Sequence, residues 1–391
     1  MQVKSLSSCI RYCVLALLLC ALPQVAFALD EEPSAPQNNK VPTAVEDVLD
    51  MLLKNITGST VPPTASLAPL LDYVTDPTVD AGSVSPRKRD QGAGCFVRTT
   101  LNVPFSKMLR YCYDPQIPGE ALYPNVIRRH SWLPQSPFVQ QKVQLWEKAG
   151  KLADGQEPLA VRGQEQEEIT PDSFSGCFYT YVLDRLILLV RYKGKDMLIS
   201  AARQQKPSTV GKIGAIVGDD NQWSYVYSQK VGSDLALAKW AETYMYDAAN
   251  VTVLYQSSPS TTGMAFFKYV KAGWAGMNMV KPKHIASGIQ RFLTGFKQVI
   301  QSSALPAPEA IVAKRKELNA MSDAQLQEAL TPYAQALSTR ADKKPLSSSV
   351  FQPLVKDGNY VTTLTKEERI SELMKQYMRE KLGKPLLKAG S

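Results

Sequence analysis

Histidine is the scarcest reactive residue in this 391-residue chain, with only His130 and His284 present. Neither H-E-x-x-H nor C-x-x-C occurs, so the spaced ligand sets of common zinc sites are missing. G-x-S-x-G is also absent, and with it the nucleophile elbow of α/β-hydrolases. Gly273-Trp274-Ala275-Gly276 lacks the longer glycine pattern and the Lys-Ser/Thr ending of a phosphate loop. Asp219 and Asp220 sit beside Gly218 without the remaining ligands of a calcium loop, and read as a hairpin turn. These absences predict no metal and no cofactor. Long apolar runs are lacking too. Tyr12–Leu22 covers about half of the ~20 residues that a bilayer requires. Asp184 and Arg185 interrupt the other apolar stretch, so no integral membrane span is expected.

What is present begins at the N-terminus. Lys4 and Arg11 precede the apolar run, Pro23 ends it, and Ala26 and Ala28 offer a small-residue cut before Leu29. This is the layout of a secretory signal peptide over residues 1–28. Bulky Leu19 ahead of Cys20 does not suit a lipoprotein cut. The expectation is an exported protein, periplasmic or extracellular after cleavage near Ala28. Cleavage would remove Cys9, Cys13 and Cys20 and leave Cys95, Cys112 and Cys177. An oxidising compartment allows one disulfide among these three. Cys95–Cys112 is the most local pairing, Cys95–Cys177 would join two Gly-Cys-Phe segments, and burial of all three as thiols stays open. The formal charge is +9, and loss of Lys4 and Arg11 takes it to +7. A basic exported chain suits an anionic envelope component, polymer or lipid headgroup, as partner. Export argues against nucleic acid.

Periodicity predicts an α+β protein: an antiparallel β-sheet core with flanking helices and a helical C-terminal third. Residues 29–94 read as a mobile tail and a Pro/Ser/Thr-rich linker containing one short helix, opened by a capping box at Thr43-Ala44-Val45-Glu46. Within that linker, Arg87-Lys88-Arg89 reads as solvated charge. An α+β core domain is expected over 95–305. It starts with a strand at Cys95–Val103 and a helix from Pro104, followed by a helix from Ser136-Pro137 carrying Val139, Val143 and Trp146. Gly155 to Asp172 is polar and predicts a loop, with Glu165, Glu167 and Glu168 facing solvent. Strands follow at Cys177–Tyr192 and Met197–Ala202. A hairpin is expected across Gly218–Asn221, and two short strands either side of an Asn250 turn. Met264–Met279, apolar nearly all round, predicts a central helix. Ile285, Ile289, Phe292, Leu293, Phe296, Val299 and Ile300 predict another by their spacing. Residues 306–391 predict a helical segment packed on the core, with capping boxes at Ser322 and Thr365.

One run resembles a site. Arg128-Arg129-His130-Ser131-Trp132 offers two guanidiniums to grip a carboxylate or phosphate and an indole to stack on a ring. The competing reading packs Trp132 inward and pairs the arginines with nearby acids. The functional expectation is a non-enzymatic envelope protein that binds a partner through Arg128, Arg129, His130 and Trp132. Two alternatives remain: a hydrolase working on an envelope polymer through carboxylates, and a lipid carrier built around the Met264–Met279 helix.

Overall fold

The computed structural model describes residues 40–80, 84–170, 176–218, 220, 222–233 and 240–387. The expected signal peptide, the tail as far as Asn39, and Asp219 and Asn221 of the hairpin turn lie outside the described residues. Two helices come first, α1 (Thr43–Lys54) and α2 (Thr64–Thr75). Then follow β1 (Ala93–Leu101), α3 (Phe105–Cys112), α4 (Gly119–Leu122), β2 (Ile127–Trp132), α5 (Pro137–Gln140), α6 (Leu145–Lys148) and β3 (Leu159–Ile169). The middle is β4 (Cys177–Tyr192), β5 (Lys195–Gln204), β6 (Lys212–Ile216), β7 (Tyr225–Val231), β8 (Thr243–Ser258) and β9 (Thr261–Trp274). The C-terminal third is α7 (Pro282–Ile300), α8 (Pro308–Ala320), α9 (Asp323–Ser338), α10 (Gln352–Val355), a 3-10 turn at Asn359–Thr363, and α11 (Lys366–Lys381).

The nine strands among the described residues make one antiparallel sheet in the order β1-β9-β8-β5-β4-β3-β2, with the β6–β7 hairpin branching from the start of β4. The α+β expectation holds. Both faces of the sheet are covered. On one, Leu49 and Leu52 of α1 and Leu67, Leu70, Leu71 and Val74 of α2 pack on Leu186, Leu188, Ile199, Val251, Val253 and Phe267. On the other, α3 and α7 cover Ile187, Leu189, Leu198, Leu254 and Met264. A strand covered on both sides needs apolar residues at every position, which is why Leu186 to Val190 is an unbroken buried run.

The same physics corrects several sequence expectations. Met264–Met279 is not a helix: up to Trp274 it is β9, paired with β1 on one side and β8 on the other. Its apolar residues face both ways, Met264 and Val270 into one core and Ala265, Phe267 and Tyr269 into the other. Apolar all round therefore meant a doubly covered strand. The expected Asn250 turn lies inside the single long strand β8, with Asn250 opposite Lys268. The helix expected to carry Val139, Val143 and Trp146 is split in two by Lys142, whose φ is 51°.

Residues 59–94 contain the well-packed α2, so a linker reading does not describe them. Pro63 is its N-cap and Pro69 lies within it. The proline and threonine content hid an apolar stripe at Leu67, Leu70, Leu71 and Val74. The basic triplet is also part of the fold. Arg87 and Arg89 pair with Glu46 and Asp50, and Arg89 stacks 4.3 Å over the Tyr269 ring. The capping box expected at Thr43 does not form, because Pro42 is the cap residue and Glu46 is taken by those arginines. The boxes at Ser322 and Thr365 both form. Cys95 and Cys112 are free thiols, so the Cys95–Cys112 disulfide is absent, and the Cys177 thiol donates to Gly232 O at 3.2 Å. Burial raises the first two, Cys95 to about 11 and Cys112 to about 12, the latter despite a hydrogen bond with Tyr123. Among the described residues no helix is long and apolar enough to cross a membrane.

Candidate functional site

Gly155–Asp172 is not a loop in its central part: Leu159–Ile169 forms β3, between β2 and β4. Its odd-numbered positions share a face. Val161, Gly163, Glu165, Glu167 and Ile169 stand opposite Ile187, Arg185, Leu183, Tyr181 and Tyr179 of β4. On the far side, His130 faces Glu167 and Trp132 faces Glu165. Directly opposed residues lie on one face. The register therefore gathers His130, Glu165, Glu167, Tyr181 and Arg185 beneath the helices on the α3 and α7 side.

Glu165 is 2% exposed, not a solvent-facing acid. Its two oxygens have different partners. Oε1 accepts from Arg185 Nε at 2.8 Å and also from Nη2. Oε2 meets His130 Nε2 at 3.2 Å. Arg185 Nη1 continues to Ser200 Oγ at 2.7 Å. Burial works to raise the Glu165 carboxyl, but Arg185 and His130 outweigh it and hold it near 2. Glu167 accepts from the Tyr181 hydroxyl at 2.9 Å. Burial, and then the Glu165 charge beside it, raise its proton affinity. For His130, burial favours the neutral ring, yet the hydrogen bond and charge of Glu165, with Glu167 and Glu120 behind, raise its pKa overall. His130 Nδ1 is buried without a partner. The proton of the neutral ring is therefore assigned to Nε2, where Glu165 accepts it.

Glu120, fully buried on α4, ties this cluster to its roof. Oε2 accepts from the His130 backbone N–H at 3.2 Å, while Oε1 accepts from Arg315 of α8 at 2.7 Å and Ser371 of α11 at 3.0 Å. Gly119 lies so close to His130 that an added Cβ would stand 2.8 Å from the His130 Cβ.

The Arg128–Trp132 run does not form an outward surface. Arg128 is 5% exposed and pairs with Glu168 at 2.7 Å and Glu368 of α11 at 2.8 Å, its guanidinium lying over both the Phe178 and Tyr227 rings, which meet edge to face. Arg129 reaches the other oxygen of Glu168 at 3.2 Å. Trp132 packs edge-on against Phe138 and over Gly163. Of the four residues singled out in the sequence, His130 alone joins the cluster. Sequence reasoning missed Glu165, Glu167, Glu120, Tyr181 and Arg185. A signal was present: Val161, Gly163, Glu165, Glu167 and Ile169 alternate with period two, so the acids continue an apolar face.

Among the described residues, His130, Glu165 and Glu167 are the group whose nitrogen and carboxylate oxygens all lie within 4.8 Å of one another. Donors on a tetrahedral ion at ~2.1 Å stand about 3.4 Å apart, close to the 3.2 Å between His130 Nε2 and Glu165 Oε2. Arg185 uses Oε1, which leaves Oε2 on the side of His130. Neither a protein-family model nor a curated protein matches this chain.

Proposed function

We propose that this chain is an exported envelope protein that acts by binding, and that its inner site takes a divalent transition-metal cation on His130 Nε2, Glu165 and Glu167. One observation carries the reading: two carboxylates and an imidazole converge in the interior, one carboxylate kept ionised by Arg185 and the other strained by its neighbour's charge. A dication would relieve that strain and replace the Nε2 proton, which leaves the imidazolium for solvent and in the neutral ring moves to the unpartnered Nδ1. Binding should therefore release protons and tighten as pH rises through the raised His130 value.

Calorimetric titration of metal-free protein with Zn²⁺ or Mn²⁺ tests this. The expectation is one site, with affinity falling at least about tenfold in Glu167→Gln and in His130→Ala. Absence of binding, or binding that both variants leave intact, rejects the assignment.

A second reading has its own observation. Glu165 held ionised and Glu167 favouring its proton are the complementary states of a nucleophile and a general acid. Turnover of an envelope polysaccharide, lost in Glu167→Gln, would select the hydrolase. The lipid-carrier alternative has lost the helix that motivated it, and Tyr123, Phe266, Phe292 and Phe296 stack between α7 and the sheet. The anionic partner expected from the basic charge is not served by Arg128 and Arg129, whose charges are spent on Glu168 and Glu368.

A further inference from the structure

Exposed large apolar side chains are few among the described residues, and they gather at one end of the sheet. They are Val231 (42% exposed), Trp240 (73%), Trp274 (37%), Met277 (51%) and Met279 (56%). Val231 ends β7 and Trp274 ends β9, with Trp274 opposite Thr243 at the start of β8. Backbone bonds from Gly232 to Gly211 and from Gly211 to Thr243 hold these strand ends together. Trp240 meets Trp274 edge to face at 5.9 Å. Beyond Trp274 the chain turns tightly through Ala275 and Gly276, both at positive φ, with Met277 N–H bonded to Trp274 O and Met279 N–H to Ala272 O. An added Cβ on Gly273 would stand 2.8 Å from Met279 Cγ, so that methionine lies over the turn. Tyr244 and Tyr246 stand behind, and the Tyr246 hydroxyl accepts from the Gly276 N–H at 2.7 Å.

We propose that this tip docks on an anionic lipid bilayer. Trp274, Met277 and Met279 at the turn, with Trp240 against Trp274, present exposed indole and thioether surface together, which suits insertion among headgroups. Trp and Tyr favour that layer because one end of each ring is apolar and the other polar. The charge around the tip matches. Lys230 adjoins Val231, Lys271 lies three residues before Trp274 with its ammonium 5.8 Å from the Tyr246 ring, and Lys281 follows Met279. Among the described residues the acids near them are Glu242, which accepts from the Tyr244 hydroxyl at 3.1 Å, and Asp90 and Asp247, both paired with Arg203. The whole chain is basic as well. Lysines near an anionic surface add attraction that salt screens. This inference is independent of the cation site and shares with the preceding proposal only the envelope as destination.

The test is sedimentation of the protein with phosphatidylcholine vesicles, with and without phosphatidylglycerol, together with quenching of tryptophan emission by brominated lipid. Binding is expected only with the anionic lipid, with quenching. Trp240→Ser combined with Trp274→Ser should weaken it about tenfold or more, and Lys230→Glu with Lys281→Glu should weaken it comparably while keeping the indoles. Unchanged circular dichroism in each variant confirms that the fold is kept. Three results overturn the proposal: no binding to either vesicle, binding equal in all variants, or self-association through the tip without lipid affinity, which would assign it to a protein partner.

Discussion

At Glu165 the interior accepts a carboxylate because Arg185 meets it with two nitrogens on one oxygen and His130 takes the other. Removing one member of a buried pair leaves an uncompensated charge, so Glu165→Gln should cost about 3–5 kcal/mol, read as a lower urea midpoint at constant slope. The pH dependence follows from the direction of each shift. Glu165 is depressed in the folded state. Its contribution is present above the unfolded carboxylate value, about 4.3, and is lost as pH falls toward 2. His130 is raised. Its contribution is present below the unfolded value of about 6.5 and disappears as pH rises through the folded one. Replacing His130 with Gln should flatten the neutral-pH limb of the stability profile and reduce the acid limb without removing it, because Arg185 still holds Glu165 down. Gly163 supplies a steric test on the same strand. An added methyl would stand 2.7 Å from Trp132 Cζ3, so Gly163→Ala should destabilise by about 1–3 kcal/mol through overpacking, measured by thermal unfolding.

Among the elements, α2 separates what composition suggests from what packing decides. Leu70 is fully buried against the sheet, so Leu70→Ala should cost about 2–5 kcal/mol in denaturant unfolding. A linker residue would leave stability unchanged. Elements with one covered face were legible in the sequence: α7 showed its stripe from Ile285 to Ile300, and α11 showed its capping box. Elements covered on both faces were not, because period two and period 3.6 look alike once every position is apolar, as in β9. The candidate site was hidden for the opposite reason. Its carboxylates looked like solvated charge, since the strands that bring Arg185 and His130 to Glu165 are 20 and 35 residues away in the chain. Local sequence carries no record of that pairing.

Across the whole molecule, Lys40–Ser391 forms one contact unit, and the three thiols are spread through it. Cys95 and Cys177 are buried and Cys112 is half-buried. Alkylation of the native protein, read peptide by peptide, should leave Cys95 and Cys177 unmodified for as long as the fold holds. In denaturant without reductant all three should react at once. A protected Cys95–Cys112 pair in denaturant would show that a disulfide forms after all. The order of the sheet has a further consequence. β1, the first strand, pairs with β9, the last, so Ala93 waits for Val270. Contacts this distant in sequence close slowly, and they cannot close on a nascent chain until β9 has left the ribosome. The edge formed by β1 thus stays unpaired through the synthesis of everything from β2 to β8, and joins the sheet only once β9 is made, with α7 to α11 still to follow.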